Sequence, residues 1–115
     1  MQSPISIKTA SHFSWGDKCD GWWLKKEGNF TVIYEVMPPG SAEIKHYHKE
    51  VEQFFYILEG VLIIELDNVI HTLIEQEGIA VVPGKPHRVF NRTDKIVKFL
   101  VISSPCLHQD RIDVE

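Results

Sequence analysis

His46-Tyr47-His48 is the stretch of this 115-residue sequence with the plainest capacity for chemistry. Residues two apart on an extended strand share a face, so both imidazoles can converge on one point. Neutral imidazole is the commonest protein ligand for zinc, iron, nickel and copper. A His-x-His pair alone is weak evidence, because such pairs are more often structural than metal-binding. The surroundings add weight. Gly40 stands six residues before His46, Gln53 five after His48, and Gly60 seven after Gln53. Pro83-Gly84-Lys85-Pro86-His87 ends a short apolar stretch, and Asn91 follows His87 by four.

The elements that must position these residues read as strands. Residues 30–36 are β-branched and aromatic and stop at Pro38-Pro39-Gly40. Residues 42–48 alternate, with Ala42, Ile44, His46 and His48 on one face and Glu43, Lys45 and Tyr47 on the other. Residues 53–58 are strongly strand-like. Residues 61–66 and 69–74 flank Asp67-Asn68, a tight hairpin signal. Residues 79–82, 88–90 and 96–103 complete about eight short strands, the last two separated by the loop signal Asn91-Arg92-Thr93-Asp94. No segment shows a sustained helical period with caps. The pattern predicts an all-β sandwich or barrel. The first 24 residues are the least regular and are expected to wrap the barrel or an adjoining subunit. The tail after Pro105 is expected to be peripheral.

Composition narrows the classes. The length suits one domain, residues 1–115, with a barrel core at about 30–103. A net charge of -4, spread along the chain, argues against nucleic acid as a partner. No apolar run approaches the roughly 20 residues of a membrane span. Met1-Gln2-Ser3-Pro4-Ile5 lacks the basic and apolar regions of a signal peptide. Cys19 and Cys106 form no CxxC pair. The expectation is a reduced, cytoplasmic protein, with a single disulfide between them as the alternative.

Taken in order, these motifs resemble the cupin superfamily. Its first motif, Gly, five residues, His-x-His, three or four residues, Glu, six residues, Gly, is matched by Gly40, His46, His48, Gln53 and Gly60. Its second, ending Pro-x-Gly, two residues, His, three residues, Asn, is matched by Gly84, His87 and Asn91. The resemblance is closest to small single-domain cupins, echoed in Cys19-Asp20-Gly21-Trp22 and in Gln53-Phe54-Phe55-Tyr56-Ile57-Leu58-Glu59-Gly60. It implies a double-stranded β-helix, or jelly-roll, barrel with an irregular N-terminal segment. It also implies a divalent transition-metal ion held by His46, His48, Gln53 and His87, and a homodimer. The metal stays open among zinc, iron, nickel, manganese, cobalt and copper.

Three positions depart from the family pattern. Glutamine stands at the usual glutamate, with Glu52 beside it as the competing ligand. Strand register favours Gln53, which shares its face with Phe55 and Ile57, whereas Glu52 would share one with Phe54 and Tyr56. Gln76 replaces the second motif's first glycine, and Val82 replaces its proline. Three imidazoles and one amide oxygen would leave the ion's full dipositive charge, which favours polarising a bound oxygen.

Phe55 is a candidate for the substrate pocket, while Ile57 and Val89 read as core. Asn91 is expected to fix its loop, and Pro86 the entry of His87. Trp15, Trp22 and Trp23 suit either a barrel mouth or a dimer interface. One of Tyr34 and Glu35 faces the cavity; parity alone does not choose. His71 is expected to be exposed, and His12 and His108 incidental. Glu52, Glu59 and Glu65 lie near the first motif, none clearly aimed at the metal. The functional expectation is an enzyme acting on a small polar molecule, such as a sugar or related carbonyl compound, by isomerase-like or dioxygenase-like chemistry. The alternative is a non-catalytic small-ligand-binding or sensing module.

Overall fold

The computed structural model describes residues 3–114. The strands are β1 (Ser11–Trp15), β2 (Cys19–Lys25), β3 (Thr31–Met37), β4 (His46–His48), β5 (Glu52–Glu59), β6 (Leu62–Leu66), β7 (Val69–Leu73), β8 (Gly78–Val81), β9 (His87–Phe90), β10 (Val97–Ser104) and β11 (Arg111–Asp113). They form two antiparallel sheets, ordered β1-β2-β3-β10-β5-β8 and β11-β4-β9-β6-β7. This is a double-stranded β-helix.

Side-chain alternation builds the interior. Along β10, Val97, Phe99, Val101 and Ser103 are buried, and the residues between them are more open. Register sets three inward rows across β3, β10 and β5. They are Thr31–Ser103–Gln53, Ile33–Val101–Phe55 and Glu35–Phe99–Ile57. The core closes with Met37, Leu62, Ile64, Leu73, Val81, Val89 and Val97 from both sheets. Ile57 and Val89 belong to it, as their apolar faces predict. No helix among the described residues is long and apolar enough to cross a membrane.

The turns follow local chemistry. Asp67 and Asn68 both adopt positive φ, 51° and 69°, which is what a two-residue hairpin between β6 and β7 requires. Gln76 also has positive φ, 67°. The position therefore asks for the left-handed backbone that glycine adopts most easily, which accounts for the glycine in the resembled motif.

Four expectations need correction. The strands number eleven among the described residues, rather than about eight. The irregular N-terminal segment is shorter than 24 residues: residues 3–10 carry no strand, and β1 and β2 then form a hairpin that extends the larger sheet through β3. Gly21 sits in β2 because the ring of Phe13 covers it; a Cβ there would lie 2.3 Å from that ring. The tail is not peripheral either. β11 pairs with β4, and the buried Asp110 accepts hydrogen bonds from the Glu50 and Val51 amides, both at 2.9 Å. Finally, only residues 46–48 of the expected strand 42–48 pair as one. Glu43 breaks the ladder, because its own carboxylate accepts the Val89 N–H at 3.2 Å.

Candidate metal centre

Strand pairing brings the histidines together. His46 and His87 are direct partners between β4 and β9, with ring centroids 4.4 Å apart. His48, two residues along β4, lies 5.2 Å from His46 and 5.9 Å from His87 by the same measure. One nitrogen from each ring falls within 4.8 Å of the others. Second contacts orient two of the rings. His46 Nδ1 is 2.9 Å from the Ile44 carbonyl, and His87 Nδ1 is 2.9 Å from the Lys85 carbonyl. A carbonyl oxygen only accepts, so each Nδ1 carries the proton and each Nε2 keeps a free lone pair. This is the arrangement that metal-bound histidines use.

Gln53 enters from the opposite sheet. Its Nε2 donates to Ser103 Oγ at 3.2 Å. Its Oε1 is buried with no hydrogen-bond partner, and so is His87 Nε2. Buried polar atoms normally find partners, so two orphaned acceptors in one site call for a missing donor or cation. A divalent ion fits both. Glu52 is exposed.

Electrostatics keep the imidazoles neutral. Burial, reinforced by the neighbouring His87, His48 and Arg111 charges, pushes His46 down to about 3. Burial likewise lowers His48 to about 4 and lowers His87. At neutral pH all three offer lone pairs rather than protons.

His46, His48 and Gln53 open on a cavity of about 460 Å³, and His87 is fully buried. That volume suits a small ligand. Aromatic, aliphatic and charged side chains share its walls. Phe55, only 4% exposed, stands edge-on to His87 at 6.1 Å. Phe13, Trp15 and Trp23 line it from the N-terminal hairpin, with Phe13 and Trp23 centroids 5.6 Å apart. Trp22 points elsewhere, against Tyr34. His108 also lines the cavity, 5.5 Å from Trp23, so it is not incidental. Its tail is anchored by β11, which nothing in the local sequence signals.

Two carboxyls reach the cavity that sequence reasoning left unassigned. On β3 it is Glu35, not Tyr34, that faces in. The alternation Thr31, Ile33, Glu35 was the available signal once a register was known. Glu43 also lines the cavity, although strict alternation put it on the face away from His46. The broken ladder at residues 43–45 is the reason. Burial, with the charge of Glu43, raises Glu35 well above the ordinary carboxyl range. Burial pushes Glu43 up to about 7, against the pull of Arg111 and its bond from Val89.

The cupin domain model matches residues 33–103. The chain is 33% identical over 76 residues to the uncharacterized protein MJ1618 of Methanocaldococcus jannaschii, a match covering 65% of this chain and 61% of that one. It therefore spans less than two thirds of that relative. Among solved structures, the polyketide cyclase RemF from Streptomyces resistomycificus superposes with a TM-score of 0.85 at 19% identity. That match covers 100% of this chain and 87% of RemF. A cupin-superfamily sugar phosphate isomerase from Silicibacter pomeroyi gives 0.76 at 22% identity, covering 87% and 74%. Those identities speak for the fold alone. With a family model matched over most of its length, two facing sheets and three inward histidines on the motif positions, the chain belongs to the cupin family.

Proposed function

We propose that this cupin is a metal-dependent enzyme acting on a small polar molecule, such as a sugar or related carbonyl compound. His46, His48, His87 and Gln53 hold one divalent transition-metal ion. The observation that carries this reading is the pair of buried, unpartnered acceptors, Gln53 Oε1 and His87 Nε2, beside two further neutral imidazoles. When bound, such an ion supplies Lewis-acid polarisation of a carbonyl or hydroxyl oxygen, at full dipositive charge because all four ligands are neutral.

The chain's own residues do the rest. Phe55, Val101 and Ile33 exclude water on one side. Phe13, Trp15 and Trp23 offer flat apolar contact to the ligand's carbon skeleton. Ser103 holds the Gln53 amide. The neutral ligand set supports isomerase-like over dioxygenase-like chemistry, because non-haem iron oxygenases of the facial-triad type use a carboxylate ligand. Cavity carboxyls also support turnover over mere binding, since burial raises both above the ordinary carboxyl range and brings Glu43 to about 7.

Metal analysis of protein purified without added metal tests the centre. About one ion per chain is expected, falling to near zero in His46→Ala. A screen of sugars, sugar phosphates and hydroxy-ketones against metal-loaded protein then tests turnover. Ligand-induced thermal stabilisation without turnover in the whole screen would replace the enzyme reading with the binding-module reading.

A further inference from the structure

Glu35 projects from β3 in the row Glu35–Phe99–Ile57, two rows from the Thr31–Ser103–Gln53 end. Its partner on β2 is Gly21, whose missing side chain is replaced by the Phe13 ring. Phe99 is fully buried beside it. The carboxyl is thus packed by apolar groups on its own sheet. Among the described residues it makes neither a hydrogen bond nor an ion pair, although it opens on the cavity.

Glu43 approaches from the other sheet. One of its oxygens is engaged by the Val89 amide at 3.2 Å, which fixes the group and leaves the second oxygen free. The other charged or titratable groups near this pair are accounted for. Arg111 donates through Nε to Asp113 at 2.8 Å and through Nη2 to the Ile44 carbonyl; its charge pulls both carboxyls down without offsetting burial, and Asp113 pushes Glu43 up. The Cys19 thiol donates to the Asp17 carbonyl. His46 donates its Nδ1 proton to Ile44.

We propose that Glu35 and Glu43 are the proton-handling pair of this cavity, Glu35 the acid and Glu43 the base, for a 1,2-proton shift on an α-hydroxy carbonyl ligand. This assignment rests on the carbonyl-substrate reading above. The Glu43 carboxylate takes the proton from the hydroxyl-bearing carbon. That C–H pair becomes the carbon–carbon π bond, and the carbonyl π pair moves to its oxygen, which takes the Glu35 proton. The enediol then returns by the same hands. The Glu35 carboxylate removes the proton of the other hydroxyl as a new carbonyl forms there, and the π pair takes the proton from Glu43 at the first carbonyl carbon. Both carboxyls end as they began, and no oxidant is consumed. The environments support the division of roles: burial and the facing charge favour the protonated form of Glu35, while Glu43, pushed up to about 7, gives up its proton more readily.

The test uses zinc-loaded protein in D₂O with dihydroxyacetone and glyceraldehyde as probes, followed by proton NMR. Loss of carbon-bound proton signal above the zinc-free control is expected. Glu35→Gln and Glu43→Gln should each slow it at least tenfold while zinc content stays unchanged, and Glu35→Asp should recover part of the rate. Glu43→Gln should also abolish the rise in rate through neutral pH. Infrared spectra of the wild type at neutral pH should show a protonated-carboxyl C=O band that Glu35→Gln lacks. Exchange unaltered in both Gln variants but lost in His46→Ala overturns the pair and leaves the metal enzyme standing. No exchange by the wild type with either probe overturns the carbonyl reading and the pair with it. Absence of the infrared band overturns Glu35 as the acid, even if a variant fails to fold.

Discussion

Ser103 is the residue through which the Gln53 assignment can be weighed without touching a ligand. Its Oγ accepts the Gln53 Nε2 hydrogen at 3.2 Å, and its side chain is buried beside the amide. Ser103→Ala removes that acceptor and little else. The amide loses the contact that turns Oε1 into the cavity, and its NH₂ is left unsatisfied. Removing a contact that orients a metal ligand costs roughly 10- to 100-fold in affinity. A bond of 3.2 Å is at the long end for N–H···O, so the lower figure is expected, about tenfold or about 1.4 kcal/mol. Zinc affinity measured by competition with a chromophoric chelator reads this directly. Gln53→Leu, which removes the oxygen itself, should weaken binding further than Ser103→Ala. If both variants bind zinc as tightly as the wild type, Gln53 is not a ligand and the neutral four-ligand site is wrong.

Two further predictions concern the frame. Asn91 is fully buried and makes four hydrogen bonds, from Nδ2 to the Met37 and Lys95 carbonyls and to Oδ1 from the Thr93 amide and hydroxyl. Asn91→Ala should cost about 3 kcal/mol in denaturant unfolding, with zinc affinity of the folded protein unchanged. For Glu43, the folded value of about 7 lies above the ordinary 4.5. The folded state therefore keeps a proton that the unfolded chain gives up, and stability falls as pH rises between those two values, by on the order of 3 kcal/mol. Glu43→Gln keeps an acceptor for the Val89 amide and should lack that fall; urea unfolding across the same pH window, with chelator present, compares the two.

How much of this was legible in the sequence depended on range. The His46–His48 parity is fixed by the strand period, and Asp67-Asn68 announced its own turn. The preference for Gln53 over Glu52 rested on which register shares a face with Phe55 and Ile57, and in the fold that face turns inward while Glu52 is exposed. Long-range substitutions hid the rest. Gly21 looks like a strand breaker until Phe13 is seen over it. Glu43 looks outward until its own carboxylate is seen to replace a ladder partner. β11 is three residues long, and it pairs with β4 from a sequence distance of more than sixty residues, so no local pattern marks it. His108 and Arg111 reach the cavity only because of that pairing.

X-ray absorption spectroscopy of the metal-loaded protein, with stoichiometry from elemental analysis, addresses the central claim most directly. One ion per chain is expected, its nearest neighbours three imidazole nitrogens and protein oxygen, with the imidazole signal reduced by one in each of His46→Ala, His48→Ala and His87→Ala. Less than about half an ion per chain, or a shell that these substitutions leave unchanged, would contradict it.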